Sequence, residues 1–283
     1  MNSVFITGGP RNGTTLMSHI MISLGYVNAS KNLNFANSED VALMELIDNL
    51  NILQDTTKGL SFHQQSHRLL SAYFRSFNDD IKFKRYSIKH PLLISTPSID
   101  PVLRMKTNHY YGEFIYQALL NFDCVIFIER NTADSLKSEI KQLRINHEIS
   151  DNSLNQFAQD YGLEHEETSI HAADATAKAN LQSKLFKVKY EDLVEYPEQF
   201  IINLASRLRI SINPLIASII AKTFITQSAA KRQPPEVYML VANLLGSISR
   251  NYSNLESRSH DYSEFITINN QLSFLIDSFN KSG

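Results

Sequence analysis

Val4, Phe5 and Ile6 form a short apolar run that stops at Gly8, Gly9 and Pro10. A run that short, closed by glycine and proline, predicts a buried strand leading into a tight loop. Beyond Gly13 the apolar positions are Leu16, Met17, Ile20, Met21 and Leu24. Steps of three and four predict a helix over 14–24. Helical spacing returns over 39–50 and 63–77. Tyr86 to Ile88 then reads as a strand before Lys89-His90-Pro91, where the proline holds the preceding residue extended. Cys124 to Ile128 is the clearest strand, with a helix over 131–143 behind it. Leu185 to Val188 forms a further strand, followed by Tyr190-Glu191-Asp192-Leu193 and a helix opened by Pro197. From Asn213 onward the spacing is helical, and Pro234-Pro235 starts one long helix.

Strands alternating with helices predict an α/β fold with a central, mostly parallel sheet flanked by helices. A helical C-terminal portion is expected over about 213–283. No repeat, low-complexity tract or Gly/Ser-rich linker interrupts the pattern, so residues 1–283 are expected to form a single domain. Composition changes this picture little: of 283 residues, 43% are hydrophobic and 20% charged, which excludes disordered and collagen-like classes. The net charge of -2 provides no basic field for nucleic acid, so any anion site must be local. Cys124 is the lone cysteine, which excludes intrachain disulfides and multi-cysteine zinc sites. No apolar run approaches the ~20 residues of a membrane span. The opening Met1-Asn2-Ser3-Val4-Phe5-Ile6-Thr7 has neither the basic nor the apolar region of a leader, so a cytoplasmic location is expected.

Candidate chemistry begins at the first loop. Gly8-Gly9-Pro10-Arg11-Asn12-Gly13-Thr14-Thr15 has the P-loop frame of glycine, four residues, glycine and a helix start. Unpaired N–H groups at a helix N-terminus take hydrogen bonds from an anion, and glycine permits close approach. The lysine that nucleotide triphosphatases place after the second glycine is Thr14 here, leaving Arg11 as the nearby cation. Its planar fork suits a phosphate or sulfate oxygen pair. The plain alternative is a glycine turn between strand and helix.

Two later segments point the same way. Glu129 and Arg130 end the Cys124 strand, where ligands bind in open α/β sheets, and Ser138 lies two turns into the next helix. Together Arg130 and Ser138 can hold a second phosphate. Tyr190 offers an aromatic ring for a purine, or else fills the core.

Read in order, these segments resemble the sulfotransferases that use 3′-phosphoadenosine 5′-phosphosulfate (PAPS). Gly9 to Leu16 is similar to their 5′-phosphosulfate loop, in the Pro-Arg-x-Gly-Thr-Thr-Leu form of tyrosylprotein and carbohydrate enzymes. Arg130 to Ser138 resembles the 3′-phosphate element, and Lys187 to Leu193 with Pro197 the later Tyr-Glu-Asp-Leu segment. The resemblance implies a P-loop NTPase-like fold. It also implies that Gly9, Arg11, Asn12, Gly13, Thr14 and Thr15 hold the 5′-phosphosulfate, Arg130 and Ser138 the 3′-phosphate, and that Tyr190 lies near adenine. Arg11 would stabilise charge on the bridging oxygen. No metal is expected, and the product would be adenosine 3′,5′-bisphosphate. The glycine-rich closing segment of cytosolic members has no counterpart; Lys231, Arg232 or Arg250 are candidates to replace it.

The acceptor would be a hydroxyl on a small molecule, glycan or protein, and its proton needs a base. His90 loosely resembles the histidine base of cytosolic members. Glu39 stands where carbohydrate and tyrosylprotein enzymes place a glutamate, although Ser38-Glu39-Asp40 also reads as a helix start. Lys89 is a candidate to contact the sulfuryl group. Glu164 to Glu167, with His165 among them, reads as a solvated face, and the polar stretch from Gly162 to Thr176 as an acceptor-side region. Competing readings are a P-loop kinase or nucleotide hydrolase, favoured by the acid ending the Val125–Glu129 run, and a non-catalytic nucleotide-binding relative. Oligomeric state is left open.

Overall fold

The computed structural model describes residues 1–9, 11–30, 33–34, 39–56, 60–80, 85–91, 111–146, 151–225 and 235–256. Tertiary contacts divide the chain into two compact units. The first holds Met1–Ser18 and Asn28–Glu191; the second holds His19–Val27 and the described residues from Asp192 onward.

The apolar runs become strands β1 (Ser3–Gly8), β5 (Tyr86–Lys89), β6 (Cys124–Glu129) and β7 (Leu185–Lys189), joined at one edge by the short β2 (Val27–Asn28). Their order is β2-β5-β1-β6-β7, and the β5-β1-β6-β7 pairings are all parallel. β1 is central and every one of its side chains is buried, which is why its sequence is a continuous apolar run instead of an alternating one. The α/β class with a central parallel sheet is therefore as the sequence predicts.

Between β1 and β5 lie α1 (Thr14–Ser23), the hairpin strands β3 (Leu33–Asn34) and β4 (Glu39–Asp40), α2 (Val41–Thr56) and α3 (Leu60–Asp80). The helix expected from Glu39 starts at Val41 instead. Asp40 is its cap: the carboxylate accepts from the Ala42 and Leu43 amides at 3.1 and 3.4 Å, leaving Glu39 in an antiparallel pair with Asn34. After β5 come α4 (Tyr111–Asn121), then β6, α5 (Thr132–Asn146), α6 (Asp151–Ala179) and β7. The stretch 162–176, expected to be an acceptor-side region, lies inside α6, and Ala172 and Ala175 belong to the core.

That core covers one sheet face. Phe5 is its centre, with ring centroids 5.4, 5.3 and 5.2 Å from Phe74, Phe114 and Phe122. Edge-on and tilted contacts of this kind add to area burial, and truncating such a phenylalanine to alanine typically costs about 3–5 kcal/mol.

The second unit is helical: the chain passes into it within α7 (Tyr190–Glu195) and continues through α8 (Pro197–Arg207), α9 (Pro214–Phe224) and α10 (Pro235–Glu256). Pro197 and Pro214 stand at helix starts, and the Asn213 side chain accepts from the Leu215 amide at 2.8 Å. Gly246 permits the tightest approach here. A Cβ at that position would lie 2.1 Å from the Ile22 carbonyl oxygen, so any larger residue must push the helix away. Among the described residues no helix is long and apolar enough to cross a membrane.

Candidate active site

The loop after β1 is built to present amide hydrogens. Gly13 has φ +94°, and a Cβ there would come within 2.6 Å of the Tyr190 ring, so this position needs both the conformational freedom and the small size of glycine. α1 starts at Thr14, and its first turn has amides without intrahelical partners. Arg11 occupies the left-handed region at φ 62°, which is unfavourable for a non-glycine residue. In that conformation its carbonyl accepts from Arg130 Nη1 at 2.8 Å.

Arg130 stands just past β6, and its guanidinium lies 4.3 Å from the centre of the Tyr190 ring at the start of α7. The three segments singled out in the sequence thus meet at the C-terminal ends of β1, β6 and β7. Glu191 fixes the junction by accepting from the Asn131 amide at 2.9 Å. Ser138, expected beside Arg130, instead accepts from Arg11 Nε at 3.4 Å, and the neighbouring Glu139 carboxylate is 3.5 Å from the same nitrogen. Burial pushes the Glu139 carboxyl up, opposed by the Arg11 charge. The Arg11 side chain itself is 41% exposed.

Asn12 is the buried post of the loop. Its Nδ2 donates to the Ile128 carbonyl at 3.1 Å, and its Oδ1 accepts from the Ser135 hydroxyl at 2.7 Å. Next to it lies His165 of α6, only 8% exposed, where a solvated face was expected. The physical reason is the helix period: Phe157, Tyr161, His165, Thr168, Ala172 and Ala175 recur every three or four residues and are all buried. That stripe was the available signal for His165. Ser135 carried none.

β5 supplies the second half of the site. Lys89 pairs in register with Ile6 and is 2% exposed. Its Nζ lies 2.7 Å from Glu39 Oε1 and donates to Thr15 Oγ1 at 3.2 Å, tying β4, β5 and the loop helix together. Burial lowers the Lys89 pKa, Glu39 opposes this, and the nearby Arg11 charge adds to the lowering. His90, the other candidate base, is 1% exposed with its ring 5.2 Å from that of Phe114, and among the described residues neither ring nitrogen has a hydrogen-bond partner. Burial, then the Lys89 charge, pushes it down to about 3. Lys231 and Arg232 lie outside the described residues, while Arg250 Nη1 donates to the Gly25 carbonyl at 3.2 Å.

A parallel sheet whose central strand feeds a glycine loop and a helix N-terminus, with two arginines beside it, defines a P-loop-like α/β protein. The model of the sulfotransferase family matches residues 3–214, well over half of the chain, and the chain belongs to that family. Membership makes it an enzyme and implies a PAPS donor. Among solved structures it is similar to the sulfotransferase domain of the Synechococcus PCC 7002 olefin synthase, at 13% identity and TM-score 0.44, covering 92% of this chain and 95% of that one. It is also similar to the sulfotransferase domain from the curacin biosynthetic pathway, at 14% identity and TM-score 0.44, covering 95% and 96%. No curated protein matches it significantly.

Proposed function

We propose that this protein transfers a sulfuryl group from PAPS to a hydroxyl-bearing acceptor, within one domain spanning residues 1–283. The observation that carries the reading is the buried Lys89, bridging Glu39 at 2.7 Å and the loop residue Thr15 at 3.2 Å. A cation and a carboxylate are thereby fixed at the edge of an anion-binding loop, where attacking oxygen and transferred group would meet.

The residues present fit the donor. Gly13 lets the Tyr190 ring lie close against the loop, where a Cβ would come within 2.6 Å of it, the helix start offers its unpaired amides to an anion, and Arg11 provides a guanidinium on the same loop. Arg130 and Tyr190 are already stacked, so a purine ring and a second phosphate have neighbouring partners. When bound, PAPS supplies the sulfuryl group and departs as adenosine 3′,5′-bisphosphate.

Glu39 takes the acceptor hydroxyl proton as the oxygen–sulfur bond forms. Lys89 and Arg11 hold the charge that grows as the bond to the bridging oxygen breaks, electrostatic work done by groups placed beforehand. Glu39 is favoured over His90 by position: it is tied through Lys89 to the loop, whereas the His90 ring lies in the core against Phe114.

Calorimetric titration with adenosine 3′,5′-bisphosphate beside magnesium-ATP tests the donor. Micromolar bisphosphate binding with little ATP response is expected, followed by transfer from PAPS in an acceptor screen. Tight magnesium-dependent ATP binding without bisphosphate binding would overturn the reading in favour of a kinase.

A further inference from the structure

His165 makes three contacts around the phosphosulfate loop. Nε2 lies 3.5 Å from Asn12 Nδ2, Nδ1 lies 3.1 Å from Thr132 Oγ1, and the ring stacks on Tyr161 at 6.0 Å and 26°. A Cβ on Gly9 would sit 3.5 Å from His165 Cδ2, so the ring also floors the first residue of the loop.

The roles of the two ring nitrogens follow from the partners. The Ile128 carbonyl can only accept, so the group facing it at 3.1 Å is the Asn12 NH2. The Ser135 hydroxyl donates to the other end of the same amide. With its orientation fixed at both ends, Asn12 presents its second N–H to His165 Nε2, which must therefore accept. The proton then sits on Nδ1 and is donated to Thr132 Oγ1. Burial pushes the imidazole pKa down, with Glu129 opposing, which keeps the ring in the neutral form this arrangement needs.

We propose that His165 is a positioning residue for donor binding: it acts through Asn12 to hold the 5′-phosphosulfate loop in its anion-binding shape. The inference rests on reading residues 9–15 as the loop that takes the 5′ end of the donor. His165 and Asn12 do touch Thr132 and Ser135 of the segment read as the 3′-phosphate element, but not Arg130 or Ser138, the two residues expected to take that phosphate. A defect at His165 should therefore be felt at one end of the nucleotide.

His165→Phe keeps the volume and the stack on Tyr161 but cannot accept a hydrogen bond. His165→Gln can place an acceptor oxygen near the Nε2 position. Wild type and both variants are titrated with adenosine 3′,5′-bisphosphate and with adenosine 3′-monophosphate, which lacks the 5′ group. For His165→Phe the bisphosphate should bind about tenfold more weakly while the monophosphate is unchanged, and His165→Gln should recover most of the loss. In turnover, the KM for PAPS should rise more than kcat falls. Unchanged bisphosphate affinity in His165→Phe overturns the proposal. So does equal weakening of both nucleotides, or no recovery in His165→Gln, since either marks a merely structural role. Failure of wild type to bind the bisphosphate would instead strike the donor reading itself.

Discussion

Replacing Lys89 by methionine removes one half of a buried ion pair while nearly keeping its volume. Nζ and Glu39 Oε1 are 2.7 Å apart, and both side chains are almost fully enclosed. Two enclosed charges at contact distance largely cancel their own desolvation, whereas one alone cannot. Breaking such a pair from one side typically costs about 3–5 kcal/mol, a large share of the ~5–15 kcal/mol that keeps a domain folded. The double variant Lys89→Met/Glu39→Leu removes both charges of the pair together and is expected within about 1 kcal/mol of wild type. Urea unfolding followed by circular dichroism reads both. With a slope of about 3 kcal/mol per molar, the single variant should lose at least about 1 M of midpoint and the double should regain it. Both should be inactive, which separates the stability of the pair from its use. A midpoint shift below about 0.3 M in the single variant, or a double variant as weak as the single one, would refute the argument.

Three further outcomes are expected. Glu139→Gln removes a carboxylate 3.5 Å from Arg11 Nε and should tighten adenosine 3′,5′-bisphosphate several-fold by calorimetry, with weaker binding counting against competition for Arg11. Glu39→Gln should lower kcat by about 10²–10⁴-fold while His90→Leu stays within tenfold of wild type, and the reverse ranking would move the base to His90. His90, pushed down to about 3 in the folded chain, binds fewer protons there than when unfolded. Stability should therefore fall as the pH drops from about 6.5 towards 3, by roughly 1 kcal/mol per unit, and this contribution should vanish in His90→Leu on comparing urea midpoints across that range.

What could be read from the sequence follows the range of the forces involved. β1 and β6 carry continuous apolar runs, Val4–Ile6 and Cys124–Ile128, because both faces of these inner parallel strands are covered, and such runs are local features. The loop was legible for the same reason, since Gly13 is demanded by its own backbone and by one ring. β4 was not. Glu39 and Asp40 are two charged residues with no strand signature, and their burial depends on Lys89, 50 residues later, and on Tyr73, whose hydroxyl donates to Asp40. α6 was hidden by its polar surface, which drew attention to the acids around His165 and away from the buried stripe beneath. Ser138 was singled out in the sequence for its spacing from Arg130, but its partner Arg11 could be found only once α5 was placed beside the loop.

The register of β1 also bears on how the chain reaches its native state. Ser3 pairs with Tyr86 and Val4 with Cys124, so the central strand finds its neighbours only after roughly 80 and 120 further residues have been made. At a synthesis rate of about 5–20 residues per second, this central strand waits seconds for its first parallel partner. Closing loops of that length also makes folding slow compared with a helical bundle of equal size. The strand that carries the glycine loop is thus the first to be synthesised yet stays unpaired until β5 and β6 have been made, and its apolar run is exposed to aggregation during that interval.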